Sequence, residues 1–299
     1  MMQRRSFIVT SAAGMTLAAS ALAFSQASAK TAVKTGYAPV NGLKLYHEIH
    51  GTGEPLILLH GGLGAGEMFV EILPLLSNSR RVITVDLQAH GRTADIDRPL
   101  AFESMADDIA ALANHLGIEN TEVMGYSLGA GVALRTAVRH ANLVRKLVLV
   151  STAFKRDGWY PEILAGMAQV GAATAEPMKQ TPMYQMYSRI APKPADWPVL
   201  LTKIGELLRK NYDWSNDVAS IKIPTMLVFG DADAIPPTHA AQFFELLGGG
   251  KKDGGWDGSG ISTARLAILP GLTHYNIFSS QPLASTVRSF LDAQSRTAK

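Results

Sequence analysis

Short, almost wholly apolar runs recur along this chain with helical stripes between them, and that alternation restricts the fold more than any other feature. Leu56-Ile57-Leu58-Leu59, Val82-Ile83-Thr84-Val85, Lys146 to Val150, Met226-Leu227-Val228-Phe229 and Leu266-Ala267-Ile268-Leu269 are such runs. A strand that is apolar at consecutive positions has both faces covered, as when helices pack on either side of a parallel sheet. Between the runs, Phe69, Ile72, Leu73 and Leu76 have helical spacing. Met105, Ile109, Leu112 and Leu116 form an apolar stripe, with Ser104 expected as its N-cap and Gly117 as its stop. Leu283 to Leu291 closes the chain as a helix. Upstream, Leu43, Leu45, His47 and Ile49 alternate with Lys44, Tyr46, Glu48 and His50, as in a half-exposed strand. The pattern predicts an α/β fold: a mostly parallel central sheet of about eight strands flanked by helices.

Residues 152–217 break the rhythm. They hold no buried-strand run, are rich in Trp, Tyr and Met, and are cut into short pieces by six prolines (Pro161, Pro177, Pro182, Pro192, Pro194 and Pro198). They are expected to form a helical cap over the strand ends, inserted into a core made of residues 30–151 and 218–299. Most of the cap's aromatics would fill its own small core, while Trp159, Met183 and Tyr187 would line a substrate pocket. The glycine-rich loop from Gly248 to Gly260 precedes the last apolar run, so it belongs at the sheet edge remote from the strand C-termini.

The first 29 residues have a different character. Arg4-Arg5 precedes a mild apolar stretch to Phe24, and Ala27-Ser28-Ala29 offers small residues where a signal peptidase reads. This arrangement is similar to a twin-arginine export signal. Its cleavage would give an exported, periplasmic or secreted protein that meets the membrane only during export; an uncleaved anchor is the alternative. Without those residues the formal charge falls from +3 to +1, since 26 basic side chains then face 25 acidic ones. Neither that balance nor any basic run suggests a nucleic-acid partner. The absence of cysteine excludes disulfides, thiolate metal sites and a cysteine nucleophile.

Gly125-Tyr126-Ser127-Leu128-Gly129 follows the apolar residues Thr121, Val123 and Met124 and opens a helix-like segment, Leu128 to His140. A Gly-x-Ser-x-Gly at a strand-to-helix turn lifts the serine hydroxyl above the sheet and aims the helix N-terminus at it. A serine hydroxyl needs a base within reach. Of the eight histidines, His274 lies directly beyond the last apolar run and is the best placed. His115 and His140 belong at helix ends on the opposite edge, His47 and His50 are expected to be solvated, and His239 opens a helix too near the candidate acid. The acid should follow Met226 to Phe229 in Gly230-Asp231-Ala232-Asp233, where Asp233 is favoured. Asp231 would hold the turn through local backbone bonds; Asp157 is a remote third choice. A tetrahedral oxyanion needs fixed donors. Leu128 N–H is one, and Gly62 or Leu63 of His60-Gly61-Gly62-Leu63-Gly64 would supply the other, with His60 holding that loop by hydrogen bonding.

With these motifs in place, the chain resembles the α/β-hydrolase fold superfamily, in its serine esterase and lactonase branch. The order serine, acid, histidine agrees, as do His60-Gly61-Gly62, Asp86-Leu87-Gln88-Ala89-His90-Gly91-Arg92 and Gly230-Asp231-Ala232-Asp233. The resemblance covers residues 37–295 and implies triad roles for Ser127, Asp233 and His274. Two departures narrow it. The loop at residue 60 lacks the three-glycine run of hormone-sensitive-lipase-like members, and it is not the His-Gly-Gly-Pro-Gly of proline aminopeptidases. Serine at 127, where haloalkane dehalogenases and related epoxide hydrolases place aspartate, argues against those enzymes. The resemblance implies cleavage of a small carboxylic ester or lactone through an acyl-enzyme, with no cofactor and no metal, and the cap's methionines and tyrosines suggest an apolar or aromatic acyl group. Perhydrolysis and hydrolytic C–C cleavage use the same triad, and a ligand-binding receptor on this fold is a rival from another class.

Overall fold

Each apolar run folds as a strand somewhat longer than its apolar centre. The computed structural model describes residues 33–293, so the expected export signal lies outside the described residues. The strands are β1 (Lys34–Val40), β2 (Leu43–His50), β3 (Glu54–Leu59), β4 (Arg80–Val85), β5 (Thr121–Tyr126), β6 (Val144–Val150), β7 (Thr225–Ala232) and β8 (Ala264–Thr273). They form one eight-stranded sheet in the order β1-β2-β4-β3-β5-β6-β7-β8. Pairing is antiparallel from β1 to β2 and from β2 to β4, and parallel across the rest.

Helices cover the sheet: α1 (Leu73–Ser77), α2 (Phe102–His115), α3 (Leu128–Arg139), α4 (Pro161–Gln169), α5 (Pro182–Ile190), α6 (Trp197–Arg209), α7 (Ser215–Ser220), α8 (Pro237–Leu246) and α9 (Gln281–Asp292). Because side chains alternate across a strand, each apolar run feeds two cores. Ile57, Leu59, Ile83, Val123, Leu147 and Leu149 join the core that includes α2 and α3. Leu56, Leu58, Val82, Met124, Val148 and Val150 join the core that includes Phe69, Leu76 and the α9 residues Leu283, Val287 and Leu291. Among the described residues no helix is long and apolar enough to cross a membrane.

The chain between β6 and β7 is helical, with 3₁₀ turns joining α4 to α5 and α5 to α6, and α7 following α6. Trp197, Leu200, Leu201 and Ile204 of α6 are buried within it, and the Trp197 indole N–H donates to the Ala175 carbonyl at 3.1 Å. Two ion pairs tie this segment to the loops after β3 and β4: Arg189 with Glu67, and Lys203 with Asp95 at 2.6 Å.

Four details differ from the sequence reading. The Phe69-to-Leu76 stripe is a 3₁₀ turn (Gly66–Phe69) and the one-turn α1, since Pro74 favours a helix start there. The α2 helix begins earlier than Ser104, with Ala101 at the N-cap, and the Ser104 hydroxyl donates back to the Ala101 carbonyl at 3.1 Å. His47 is buried rather than solvated, because β2 lies between β1 and β4. β1, absent from the periodic pattern, pairs with β2 through Asn41-Gly42, both with positive φ (49° and 84°), as a tight hairpin turn requires.

Candidate active site

The turn between β5 and α3 is built on close backbone approaches that only glycine permits. A Cβ on Gly125 would lie 2.2 Å from the Gly129 carbonyl oxygen, and one on Gly129 would lie 2.4 Å from the carbonyl oxygens of Leu59 and His60. This packing drives the chain sharply from strand into helix. Ser127 sits at the corner with φ 52° and ψ −115°, a left-handed conformation that a serine adopts only under constraint. Its backbone N–H donates to Val150 O at 2.9 Å, which fixes the corner to the end of β6. Leu128 opens α3, so its N–H has no partner within the helix.

Asp233 and His274 arrive together because of strand register. Ala232 of β7 is paired with Thr273 of β8, after an irregularity at Gly230, so the next residue on each strand leaves the sheet beside the other. Gly230 permits this: a Cβ there would lie 2.1 Å from Leu272 O. The His274 ring stands between acid and alcohol, with Nδ1 3.0 Å from Asp233 Oδ1 and Nε2 3.1 Å from Ser127 Oγ. An ionised carboxylate can only accept, so Nδ1 carries the proton and the Nε2 lone pair faces the hydroxyl. The Asp233 side chain is fully buried and accepts three further bonds, from Ala234 N–H (2.8 Å), Gly230 N–H (3.1 Å) and the Ser151 hydroxyl (2.5 Å).

The loop after β3 completes the rim. Gly64 N–H closes a turn onto Gly61 O at 3.1 Å, with Leu63 held at φ 59°. The N–H groups of Gly62 and Leu63 take no part in that turn. His60 is fully buried, its Nδ1–H donating to Gly61 O (2.7 Å) while Nε2 accepts from Leu87 N–H (3.0 Å). Burial pushes its pKa down to about 4, so it stays neutral and acts as a brace between the loops after β3 and β4. Asp86 binds the same two loops, accepting from Gly66 N–H (2.7 Å) and Arg92 N–H (2.8 Å). Burial raises the Asp86 pKa against those bonds.

The other candidates fall elsewhere. Asp231 is exposed and accepts from Gly271 N–H at 2.8 Å, so it pins β7 to β8 rather than bonding within its own turn. Asp157 is exposed and pairs with Lys155. His140 bonds Asp107 at 2.8 Å, and His50 bonds Glu48 at 3.0 Å. His239 stacks on Phe154 with ring centroids 4.2 Å apart. Of the three expected pocket residues, the structure brings Trp159 to the site, its ring edge-on to His274 at 5.5 Å and its N–H on Tyr212 Oη at 3.2 Å. Tyr187 packs instead against Trp197 at 5.2 Å, within the segment's own core, and Met183 is partly exposed on α5. Among the described residues no three His, Asp or Glu side chains are grouped to hold a metal ion.

Three residues at the site went unread in the sequence. Tyr126, the variable position before the serine, donates its hydroxyl to the His274 carbonyl at 2.6 Å and packs its ring against Gly61. Tyr275 is exposed beside the His274 ring at 5.4 Å. Ser151 holds the acid. Tyr126 lies within the motif itself; nothing in the sequence marks the other two.

The α/β hydrolase fold family matches residues 54–189 of the chain. A pimeloyl-acyl-carrier-protein methyl ester esterase from Neisseria meningitidis serogroup B is 31% identical over 256 residues, covering 79% of this chain and 92% of that protein. A non-heme haloperoxidase from Rhodococcus erythropolis is 26% identical over 268 residues, covering 78% and 90%. In three dimensions, a thermophilic esterase from Thermogutta terrifontis superposes with a TM-score of 0.67 at 23% identity, over 86% of this chain and 98% of that one. Sheet order, strand-to-helix serine turn and similarity along most of its length thus agree: the chain belongs to the α/β-hydrolase superfamily.

Proposed function

We propose that the protein hydrolyses small carboxylic esters through an acyl-enzyme on Ser127. The observation that carries this reading is the unbroken line from Ser127 Oγ through His274 to Asp233, at 3.1 and 3.0 Å. Ser127 Oγ attacks the ester carbonyl as His274 Nε2 takes its proton; His274 then gives that proton to the departing alcohol. Water, deprotonated by the same nitrogen, attacks the acyl-enzyme, and the acid leaves with Ser127 restored. Asp233 keeps the imidazole in its productive tautomer and balances the charge of the imidazolium. Leu128 N–H, with Gly62 or Leu63 N–H, holds the oxyanion in both steps. The ring of Trp159 beside His274 favours an apolar or aromatic group on the ester.

Fluorophosphonate labelling and turnover of p-nitrophenyl esters test the reading. Ser127→Ala should abolish labelling and lower kcat by about 10⁶; a variant that kept a tenth of the wild-type rate would sink it. Labelling of Ser127 with almost no product release would indicate a receptor instead. The haloperoxidase among the relatives supports a second outcome of the same acyl-enzyme, attack by hydrogen peroxide to give a peracid. Peracid formation when peroxide is added to an ester assay tests that branch.

A further inference from the structure

Asp233 has four partners, and only one besides the imidazole is a side chain. Oδ1 serves His274 Nδ1 and Ala234 N–H, while Oδ2 takes Gly230 N–H and the Ser151 hydroxyl. The Ser151 contact, at 2.5 Å, is the shortest of the four and has the length of a hydroxyl bound to a charged oxygen. Ser151 is the first residue beyond β6, fully buried, and held at φ 51°. Its N–H donates to Val228 O at 2.9 Å, just as Ser127 N–H donates to Val150 O one strand earlier. The chain therefore takes a positive φ at two adjacent strand ends, and each delivers a serine hydroxyl toward the His274–Asp233 pair from a different side.

Glycine would adopt that backbone conformation without strain, so a serine there suggests that its hydroxyl is what the position supplies. Full burial rules Ser151 out as a nucleophile toward a substrate. We propose that Ser151 is a positioning residue: it fixes the rotation of the Asp233 carboxylate about its Cβ–Cγ bond, keeping Oδ1 on His274 Nδ1. This role rests on the triad reading above. With the hydroxyl gone, Oδ2 keeps a single N–H donor at 3.1 Å and the carboxylate gains freedom to turn away from the ring. The imidazolium formed during acyl transfer would then lose part of its support, while substrate binding would not.

The test measures kcat and KM on a p-nitrophenyl ester for the wild type, Ser151→Gly, Ser151→Ala, Ser151→Cys, Asp233→Asn and the double variant Ser151→Gly/Asp233→Asn. Thermal denaturation establishes which of them are folded. Glycine removes the hydroxyl and relieves the backbone, alanine removes the hydroxyl alone, and cysteine keeps a weak donor. The Gly and Ala variants should lose about tenfold in kcat, as expected when a bond to a charged group is removed. KM should stay within about twofold of the wild type, because uniform binding is untouched, and Cys should fall between. Asp233→Asn should lose about ten-thousandfold, and adding Ser151→Gly to it should cost nothing further, since the group that Ser151 orients is no longer a carboxylate. Full turnover in Ser151→Gly or Ser151→Ala, or an undiminished tenfold loss in the double variant, would overturn the role of Ser151 alone. Wild-type turnover in Asp233→Asn would instead overturn the triad reading, and the role of Ser151 with it.

Discussion

The Tyr126 hydroxyl donates to the main-chain carbonyl of His274 at 2.6 Å, so the residue before the serine also anchors the loop that carries His274. Its ring packs at a tilt against His274 (5.3 Å) and Phe278 (5.1 Å) and lies where a Cβ on Gly61 would collide with it at 2.6 Å. One side chain thus joins the serine turn, the loop of His274 and the loop after β3. Tyr126→Phe keeps the ring and removes the bond, leaving a buried carbonyl without its donor. Turnover of a p-nitrophenyl ester should fall about tenfold through misplacement of His274. Thermal denaturation should show a loss of about 1–3 kcal/mol.

Gly129→Ala should fail through backbone collision rather than lost chemistry. The added methyl would meet two carbonyl oxygens at the end of β3, each 2.4 Å away, and neither belongs to a flexible side chain. Urea denaturation should show a loss of about 3 kcal/mol or more, if soluble protein is obtained at all. Stability equal to the wild type would mean that this junction is looser than the structure shows.

Acid should unfold the protein through histidines kept neutral by burial. The pKa of His60 is pushed down to about 4, that of His90 to about 3 and that of His239 to about 4. In the unfolded chain each titrates near 6.5, so between that pH and about 4 the unfolded state binds more protons than the native state. Stability is therefore full at neutral pH and declines as pH falls through this window, by about 2 kcal/mol per histidine at pH 5. Denaturant midpoints measured from pH 7.5 to 4.5 should fall steadily; a flat profile would contradict the burial of these rings. His90→Asn should flatten the slope by close to one proton, if it folds.

Glu122 and Arg80 form a pair at 2.6 Å with both side chains nearly inaccessible, and the half-exposed Asp292 of α9 closes on the same guanidinium at 2.6 Å. Glu122→Leu would strand most of the Arg80 charge inside the sheet. Removing one partner of a buried pair costs about 3–5 kcal/mol, and chemical denaturation should report a loss of that order. Asp292→Asn, at the exposed side, should cost less than about 1 kcal/mol.

The buried strands were legible because consecutive apolar residues have few other uses, and the serine turn because its glycines are required by geometry. His274 and Asp233 could be chosen among rivals because each directly follows a strand, and the structure brings both within hydrogen-bond reach of their partners. β1 was missed for the opposite reason: Lys34–Val40 contains Gly36 and Pro39, both depleted in strands, and most of its residues are exposed at a sheet edge. The short α1 follows from Pro74, which favours a helix start, while α2 begins at Phe102 from an extended Ala101 that no capping side chain in the sequence marks. Ser151 was beyond reach, since its significance is a contact with Asp233, 82 positions later, and a φ angle that no residue type announces.

β8 is the last strand of the sheet, hydrogen-bonded to β7 alone, with Ile268 on it 41% exposed. His274 therefore follows a strand at one margin of the sheet. Fraying of that margin would carry His274 away from Ser127 while the interior stayed folded. Ester turnover should accordingly be lost under mild denaturation before far-ultraviolet circular dichroism changes.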